Sequence, residues 1–354
     1  MATCFDNLNG KKLVIGLVHL YPTPSTPKYE EGNLEKMTEK AIQDCLTLKA
    51  NGADGGLIQT VEYMAYDQIG LGDDTDYARV AAMAMVTARV RDAVGPDFLI
   101  GSQIMWNHIT PSLAVCKCAG ADFTRCSALV GSTKYHGSEA VVVAETEKVK
   151  AYREKIYAQH VGLLSEISGY HHASDESAVA KLVLDSIEAG ANAIEVVDRD
   201  FERNERLVKA VKAADSKMPV ILGGGTDVDN CKARLRYADG ALVGTAFEGG
   251  KWGGPIIGSI VADYVKNVRE LEEELAKARK ELDDYERDHA LSVTEKALDE
   301  QYVMSTYARF PVELQRGKGS LVWDVNGKEY VDMGSGIAVN GFGISDDQWL
   351  KAVT

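Results

Sequence analysis

The stretch PVILGGGTDVDN, residues 219–230, runs from a short apolar segment into three consecutive glycines and then into a predicted helix. Glycine weakens the end of a strand unless the backbone must turn sharply or something must approach it closely. The pattern therefore predicts a buried strand whose carboxyl end meets a ligand, and a phosphate is the candidate. The alternative is that the glycines only form a tight turn between a strand and a helix.

Seven other segments of the same kind occur along the chain, with helical patterns between them. The eight segments are 13–20, 55–62, 98–106, 122–130, 161–168, 193–200, 219–226 and 240–247. Most are continuously apolar rather than alternating, which is typical of parallel strands buried on both faces. Eight strand and helix units in about 250 residues predict a TIM (β/α)8 barrel. A doubly wound open sheet is the alternative.

Net charge and composition narrow the classes of partner. The chain of 354 residues has a formal net charge of -14, whereas nucleic-acid binding depends on clustered Lys and Arg, so no nucleic acid is expected. No apolar run is long enough to span a bilayer, and the first residues lack the cleavage site of a signal peptide. The six cysteines are scattered through predicted helices and strands. This distribution predicts free thiols and a cytoplasmic location.

The pattern changes after Gly258, where a long, highly charged helix begins. A heptad-like series with spacings of four and three consists of Leu271, Leu275, Ala278, Leu282 and Tyr285. The segment is either a solvated helical linker or a short coiled coil that joins subunits into a homo-oligomer. We therefore divide the chain into a barrel at 1–268, this helix at 269–291 and a C-terminal segment at 292–354.

Several segments together resemble the BtpA/SgcQ family. They are VIGLVHLYPTPSTPKY at 14–29, NGADGGLIQTVE at 51–62, ARVAAMAMVTARVR at 78–91, GGGTDVDN at 223–230 and YADGALVGTAF at 237–247. The resemblance covers about residues 11–268. It implies a phosphate-binding TIM barrel, similar to the barrels that bind ribulose phosphate. It also implies a link either to photosystem I biogenesis or to sugar metabolism, without one agreed reaction.

The segment from Thr294 to Gly343 resembles the start of acetylornithine aminotransferases, which are class III enzymes dependent on pyridoxal phosphate. The sequence stops at Thr354, before the part of those enzymes that supplies the Schiff-base lysine. We therefore expect no bound pyridoxal phosphate and no aminotransferase activity. Within the segment, VWDVNGKEYVDM at 322–333 predicts a β-hairpin with an Asn-Gly turn.

Candidate acid and base residues lie near the predicted carboxyl ends of the strands, where reacting groups of TIM barrels are found. They are His19, Glu62, Glu166 and Asp198. A carboxylate beside apolar walls can have its pKa raised toward neutrality, so Glu62 and Glu166 are candidates for a general acid/base pair. The alternatives are that His19 is a structural histidine and that either glutamate pairs with a nearby Lys or Arg.

Candidate ligand-binding residues surround the same end of the barrel. They are Asn107, Arg125, Gly223, Gly224, Gly225, Gly244 and Thr245. Glycines at the seventh and eighth strands can expose amides to a phosphate, and Arg125 within an apolar strand requires a carboxylate or an anionic ligand. A divalent metal is a further candidate, with His171, His172 and Asp200 as its ligands.

The sequence therefore predicts a TIM barrel that binds a phosphorylated small molecule, such as a sugar phosphate or a nucleotide-like compound, at its seventh and eighth strands. General acid/base catalysis on that metabolite is the favoured activity. The alternative function, implied by the family resemblance, is an assembly or stability factor for a larger complex.

Overall fold

The computed structural model describes residues 2–61, 76–134, 141–170, 174–288, 314–318 and 320–331. Glu62, His171 and His172 lie outside these ranges. The chain divides into two compact units, Met1–Glu273 and Glu274–Thr354, and each is described by itself.

The first unit contains a closed barrel of eight parallel strands. In chain order its strands are β1 (Leu13–His19), β2 (Gly55–Gln59), β3 (Leu99–Gln103), β4 (Phe123–Cys126), β7 (Gly162–Ser168), β8 (Ala193–Val196), β9 (Val220–Leu222) and β10 (Gly240–Val243). Strand β1 pairs with both β2 and β10, which closes the sheet. The predicted TIM barrel is confirmed, and the open-sheet alternative is wrong because a doubly wound sheet has two free edges.

Helices connect the strands and cover the barrel. They are α1 (Asn33–Ala50), α2 (Tyr77–Val94), α3 (Ile109–Ala119), α4 (Thr146–Lys155), α5 (Val179–Glu188), α6 (Phe201–Ala214), α7 (Cys231–Arg234) and α8 (Gly258–Asp288), with a short 3-10 turn at Glu176–Ala178. Between β4 and α4, the strands β5 (Ser132–Lys134) and β6 (Val141–Val143) form a separate antiparallel pair. Side-chain caps fix two helix starts: Asp76 accepts the Ala78 amide and Asp200 accepts the Arg203 amide, each at 2.7 Å.

The interior of the barrel is apolar over most of its length. Its buried residues are Phe5, Leu13, Ile15, Leu17, Leu57, Phe123, Leu164, Ala193, Ile221 and Leu242. Phe5 precedes the first strand and packs edge-to-face on Phe123, with ring centroids 5.4 Å apart. The interior is therefore a packed core that supports whatever lies at the carboxyl ends of the strands.

Helix α8 is anchored to the barrel by its first half. Leu271 is buried, Arg269 pairs with Asp54 at 2.7 Å, and Glu272 accepts the backbone amide of Lys12 at 2.5 Å. Further along, Leu282 is 52% exposed. Leu271 and Leu282 thus differ in role, since Leu271 belongs to the barrel, and association through the rest of the series stays a prediction.

The described part of the second unit beyond α8 is a three-stranded antiparallel sheet, formed by β11 (Leu314–Lys318), β12 (Leu321–Asp324) and β13 (Glu329–Val331). Strands β12 and β13 are the predicted hairpin. Its turn includes Gly327, whose φ of 78° lies in the left-handed region that favours glycine. Asp324 accepts the amides of Asn326 and Lys328 across the turn, at 3.0 and 2.8 Å.

Candidate functional site

A polar layer closes the apolar interior at the carboxyl end of the barrel. Side chains two residues apart on a strand point to the same face. At the carboxyl end of every barrel strand, the position two residues after the last interior residue is polar or glycine. The pairs are Leu17 and His19, Leu57 and Gln59, Gly101 and Gln103, Phe123 and Arg125, Leu164 and Glu166, Ala193 and Glu195, Ile221 and Gly223, and Leu242 and Gly244. We call these eight second members the mouth layer.

Arg125 binds two carboxylates of the mouth layer. Its Nε and Nη2 donate to the two oxygens of Glu195 at 2.7 and 2.5 Å, and Nη2 also lies 3.0 Å from Oε2 of Glu166. The glutamates are paired in register on β7 and β8. Burial raises the pKa of Glu166, although the Arg125 guanidinium favours its ionised form. The sequence predicted either a carboxylate or an anionic ligand beside Arg125, and in the structure carboxylates lie beside it.

His19 is held by a carboxylate that follows β10. Its Nδ1 lies 2.8 Å from Oε1 of Glu248, and both side chains are buried. The other oxygen of Glu248 accepts the amide of Gly253 at 3.2 Å. An ionised carboxylate only accepts hydrogen bonds, so His19 donates from Nδ1 and, when neutral, keeps Nε2 as an acceptor. The ring of Trp252 covers the imidazole, with centroids 5.4 Å apart.

Two buried glutamines of the mouth layer have side-chain oxygens without a hydrogen-bond partner among the described residues. Gln59 and Gln103 are 6% and 1% exposed, and among the described residues neither Oε1 has a hydrogen-bond partner. Their amide nitrogens reach the sulfur of Met105 at 2.9 Å and the hydroxyl of Ser127 at 3.5 Å, respectively. A buried acceptor without a donor costs about 1–3 kcal/mol. The two oxygens are therefore candidates for contact with a bound molecule or an ordered water.

Contacts and backbone angles within the protein explain why the three residues after β9 are glycines. An added Cβ at Gly223 would collide with the carboxylate of Glu195, and one at Gly225 would collide with the hydroxyl of Tyr170. Gly224 and Gly225 also have φ values of 135° and 71°, which side-chain-bearing residues rarely adopt. The tight-turn alternative thus accounts for the glycines without a ligand, and the phosphate-binding role stays a prediction.

Positive charge gathers beside this loop. The guanidinium of Arg199 lies over the ring of Tyr170, 5.4 Å from its centroid, and Nη1 of Arg234 would be 3.4 Å from an added Cβ at Gly225. Arg234 donates to the carbonyls of Asp198 and Arg199 at 3.0 and 2.9 Å. Within the described part of the chain, neither arginine forms an ion pair, and the amide of Gly225 has no acceptor.

The loop after β10 carries the other predicted glycine site. Gly244 lies against the first strand, because an added Cβ would be 3.0 Å from Leu17 and 3.3 Å from the imidazole of His19. Thr245 is partly buried and its carbonyl accepts the amide of Gly250 at 2.8 Å. This loop leads directly to Glu248, so it places the carboxylate beside His19.

Three other predicted residues have structural contacts. Asn107 is buried and bonds both the amide and the carbonyl of Ala128, at 2.8 and 3.2 Å. Asp198 accepts the amide of Asp200 at 2.8 Å and lies 3.5 Å from Arg203. Asp200 caps α6.

In the ranges that the structure describes, no group of three or more His, Cys, Asp or Glu side chains is arranged to hold a metal ion, so the metal site stays untested.

Sequence reasoning missed six residues of the site: Gln59, Gln103, Glu195, Arg199, Arg234 and Glu248. The first three could have been found from the alternation of side chains, because each stands two positions after an inward apolar residue or glycine. Glu62, Asn107 and Asp198 were chosen because they stand near the carboxyl ends of the predicted strands, whereas β2, β3 and β8 end earlier, at Gln59, Gln103 and Val196. Glu248 follows its strand by five residues and had no local signal.

Comparison with known proteins identifies a family for the barrel. A model described as the BtpA family matches residues 10–274. An uncharacterized protein of Thermococcus kodakarensis is 26% identical over 237 residues, which cover 66% of this chain and 86% of that protein. A chain of M. tuberculosis tryptophan synthase superposes with a TM-score of 0.51 at 16% identity, covering 76% of this chain and all of that one.

A second, short match lies in the C-terminal part. An acetylornithine aminotransferase of Haemophilus ducreyi is 48% identical over 58 residues, which are 16% of this chain but only 15% of that enzyme. The match is thus to a small portion of the aminotransferase. Among the described helices, none has both the length and the apolar character required to cross a membrane.

Proposed function

The chain belongs to the BtpA family, and from this premise we propose that its barrel binds a phosphorylated small molecule at the ends of β9 and β10 and catalyses proton transfer on it. The single observation that carries the proposal is the cluster at the end of β9. There Arg234 lies against Gly225, Arg199 lies over the ring of the neighbouring Tyr170, and the amide of Gly225 has no acceptor among the described residues.

This cluster has the chemistry of an anion site. Backbone amides without acceptors and guanidinium groups without carboxylate partners are the donors that bind phosphate in proteins. The nearby carboxylate of Asp198 faces Arg203, at 3.5 Å, and so is partly neutralised. A phosphate here would receive charge-assisted hydrogen bonds without displacing an existing ion pair of Arg199 or Arg234.

Two groups of the mouth layer are suited to move a proton. His19 is oriented by Glu248 through Nδ1, which leaves Nε2 for exchange with a bound molecule. Glu166 has its pKa raised by burial, which favours a protonated carboxyl that can act as an acid. We assign His19 as the candidate base and Glu166 as the candidate acid, with Arg125 positioning Glu166.

Inorganic phosphate tests the anion site directly. Isothermal titration should show phosphate binding to the wild-type chain and a loss of about 10- to 100-fold in Arg199→Gln, the range expected for one charge-assisted contact. Arg236→Gln is the matched control, because Arg236 is an exposed arginine two residues from Arg234. Equal weakening in both variants would indicate only a general charge effect. No phosphate binding by the wild type would contradict the proposal and favour a role as an assembly factor.

Proton transfer on a phosphorylated metabolite is tested by exchange of a substrate proton with solvent. Once a phosphorylated ligand is found by a thermal-shift screen, nuclear magnetic resonance in deuterated water should show exchange that is lost in His19→Gln while phosphate binding remains. Retained exchange in that variant would remove His19 as the base.

A further inference from the structure

Two buried acceptor atoms of the mouth layer come from strands on the side of the barrel opposite the glycine loop. Gln59 and Gln103 are buried, each with an Oε1 that has no donor among the described residues. Both stand two positions after residues that face the barrel interior, so their side chains also face it. Buried acceptors in such a place need donors from outside the protein.

The two glutamines stand at paired positions of adjacent strands. Gln59 and Gln103 are paired in register on β2 and β3, and adjacent strands lie about 4.8 Å apart. Two adjacent hydroxyl groups on a carbon chain can therefore each donate to one amide oxygen. A single isolated donor would satisfy only one of them.

The cationic side chains of this region are already paired. The guanidinium of Arg125 is bound by Glu195 and lies 3.0 Å from Glu166, and His19 faces Glu248. A phosphate or carboxylate of the ligand would have to compete with these buried carboxylates. Neutral donors such as hydroxyl groups meet no such competition.

We propose that Gln59 and Gln103 bind neighbouring hydroxyl groups, so that the ligand of this barrel is a phosphorylated polyhydroxy compound, either a sugar phosphate or a sugar alcohol phosphate. The assignment of a phosphate group to the ligand rests on the proposed function. The assignment of its hydroxyl groups rests on Gln59 and Gln103.

Two phosphate monoesters with the same number of carbons test the proposal: D-arabinitol 5-phosphate, with four hydroxyl groups, and n-pentyl phosphate, with none. In calorimetric titrations, the wild-type chain should bind the arabinitol ester about 10-fold or more tightly than the pentyl ester, as expected for two hydrogen bonds. Gln59→Leu and Gln103→Leu should each reduce this preference by about threefold or more. Gln43→Leu, on the exposed face of α1, should not change it.

Folding and the phosphate site are checked separately. Both leucine variants should unfold at the same or higher urea concentration than the wild type, because they remove unpartnered buried oxygens, and both should bind inorganic phosphate as the wild type does. Equal affinity of the two esters, or a preference that survives in both leucine variants, would overturn the hydroxyl site. If inorganic phosphate fails to bind while the arabinitol preference persists, the phosphate site is wrong and the hydroxyl site stands.

Discussion

The carboxylate of Glu195 accepts two hydrogen bonds from Arg125, from Nε at 2.7 Å and from Nη2 at 2.5 Å, inside the mouth of the barrel. The side chain of Glu195 is fully buried and that of Arg125 is 10% exposed. A buried charge is tolerated only with a partner, so the ion pair holds this part of the barrel in one arrangement.

Removal of the arginine alone should destabilise the barrel strongly. Arg125→Met removes the guanidinium that binds buried Glu195 and Glu166, and the free energy of unfolding should fall by about 3–5 kcal/mol. Urea denaturation followed by circular dichroism measures the change. In the double variant Arg125→Met, Glu195→Leu most of the loss should be recovered. A loss below about 1 kcal/mol in the single variant would show that the pair is not essential.

Glu166 should make stability depend on pH. Burial raises the pKa of Glu166 in the folded protein above its ordinary value of 4.5, so between pH 4.5 and the raised pKa the folded state binds more protons than the unfolded state. Its contribution to stability is therefore complete below pH 4.5 and is lost as the pH rises through the folded pKa. Glu166→Gln should gain stability relative to the wild type over this window. A constant difference between the two proteins from pH 4 to 8 would contradict the raised pKa.

The strand and helix pattern was sufficient to predict the barrel, because buried parallel strands are continuous in sequence and glycines mark their ends. The site was only partly predictable. His19, Arg125 and Glu166 lie within strands and were found, whereas the glutamines looked like ordinary polar residues until the inward face of each strand was known. The partnership of His19 with Glu248 joins residues 229 positions apart, and no spacing rule connects them.

Glu248 should determine which nitrogen of His19 carries the proton. In the wild type, nitrogen-15 resonances should show that Nδ1 of His19 carries a proton, because the carboxylate 2.8 Å away only accepts. In Glu248→Leu the fraction protonated at Nδ1 should fall. Glu270→Leu is a control, because that glutamate pairs with Lys232 on the surface. An unchanged tautomer in Glu248→Leu would mean that Glu248 does not position the ring.

Substitution of Gly225 should separate backbone strain from contact with Tyr170. Gly225→Ala places a methyl group against the tyrosine hydroxyl at a φ of 71°, and we expect a loss of about 1–3 kcal/mol from the backbone conformation together with a further loss from the contact. Gly250→Ala is the matched control, since Gly250 has a φ of 83° and nothing within 4 Å of an added Cβ. Adding Tyr170→Ala should recover the difference between the two variants. Equal losses of unfolding free energy in both alanine variants would mean that the loop around Gly225 adjusts to accommodate the methyl group.

The second half of α8 should mediate self-association if the heptad-like series forms a coiled coil. Leu282 is 52% exposed, and a leucine at this spacing is stabilised when a second helix covers it. Leu282→Gln should therefore lower the molar mass measured by light scattering, whereas Asp283→Gln, at the next and also exposed position, should not. A cut after Glu273 should give the same lower mass and a folded barrel, because it keeps Leu271 and Glu272. If the full chain is already monomeric at every concentration, the coiled-coil interpretation is wrong and α8 is a linker.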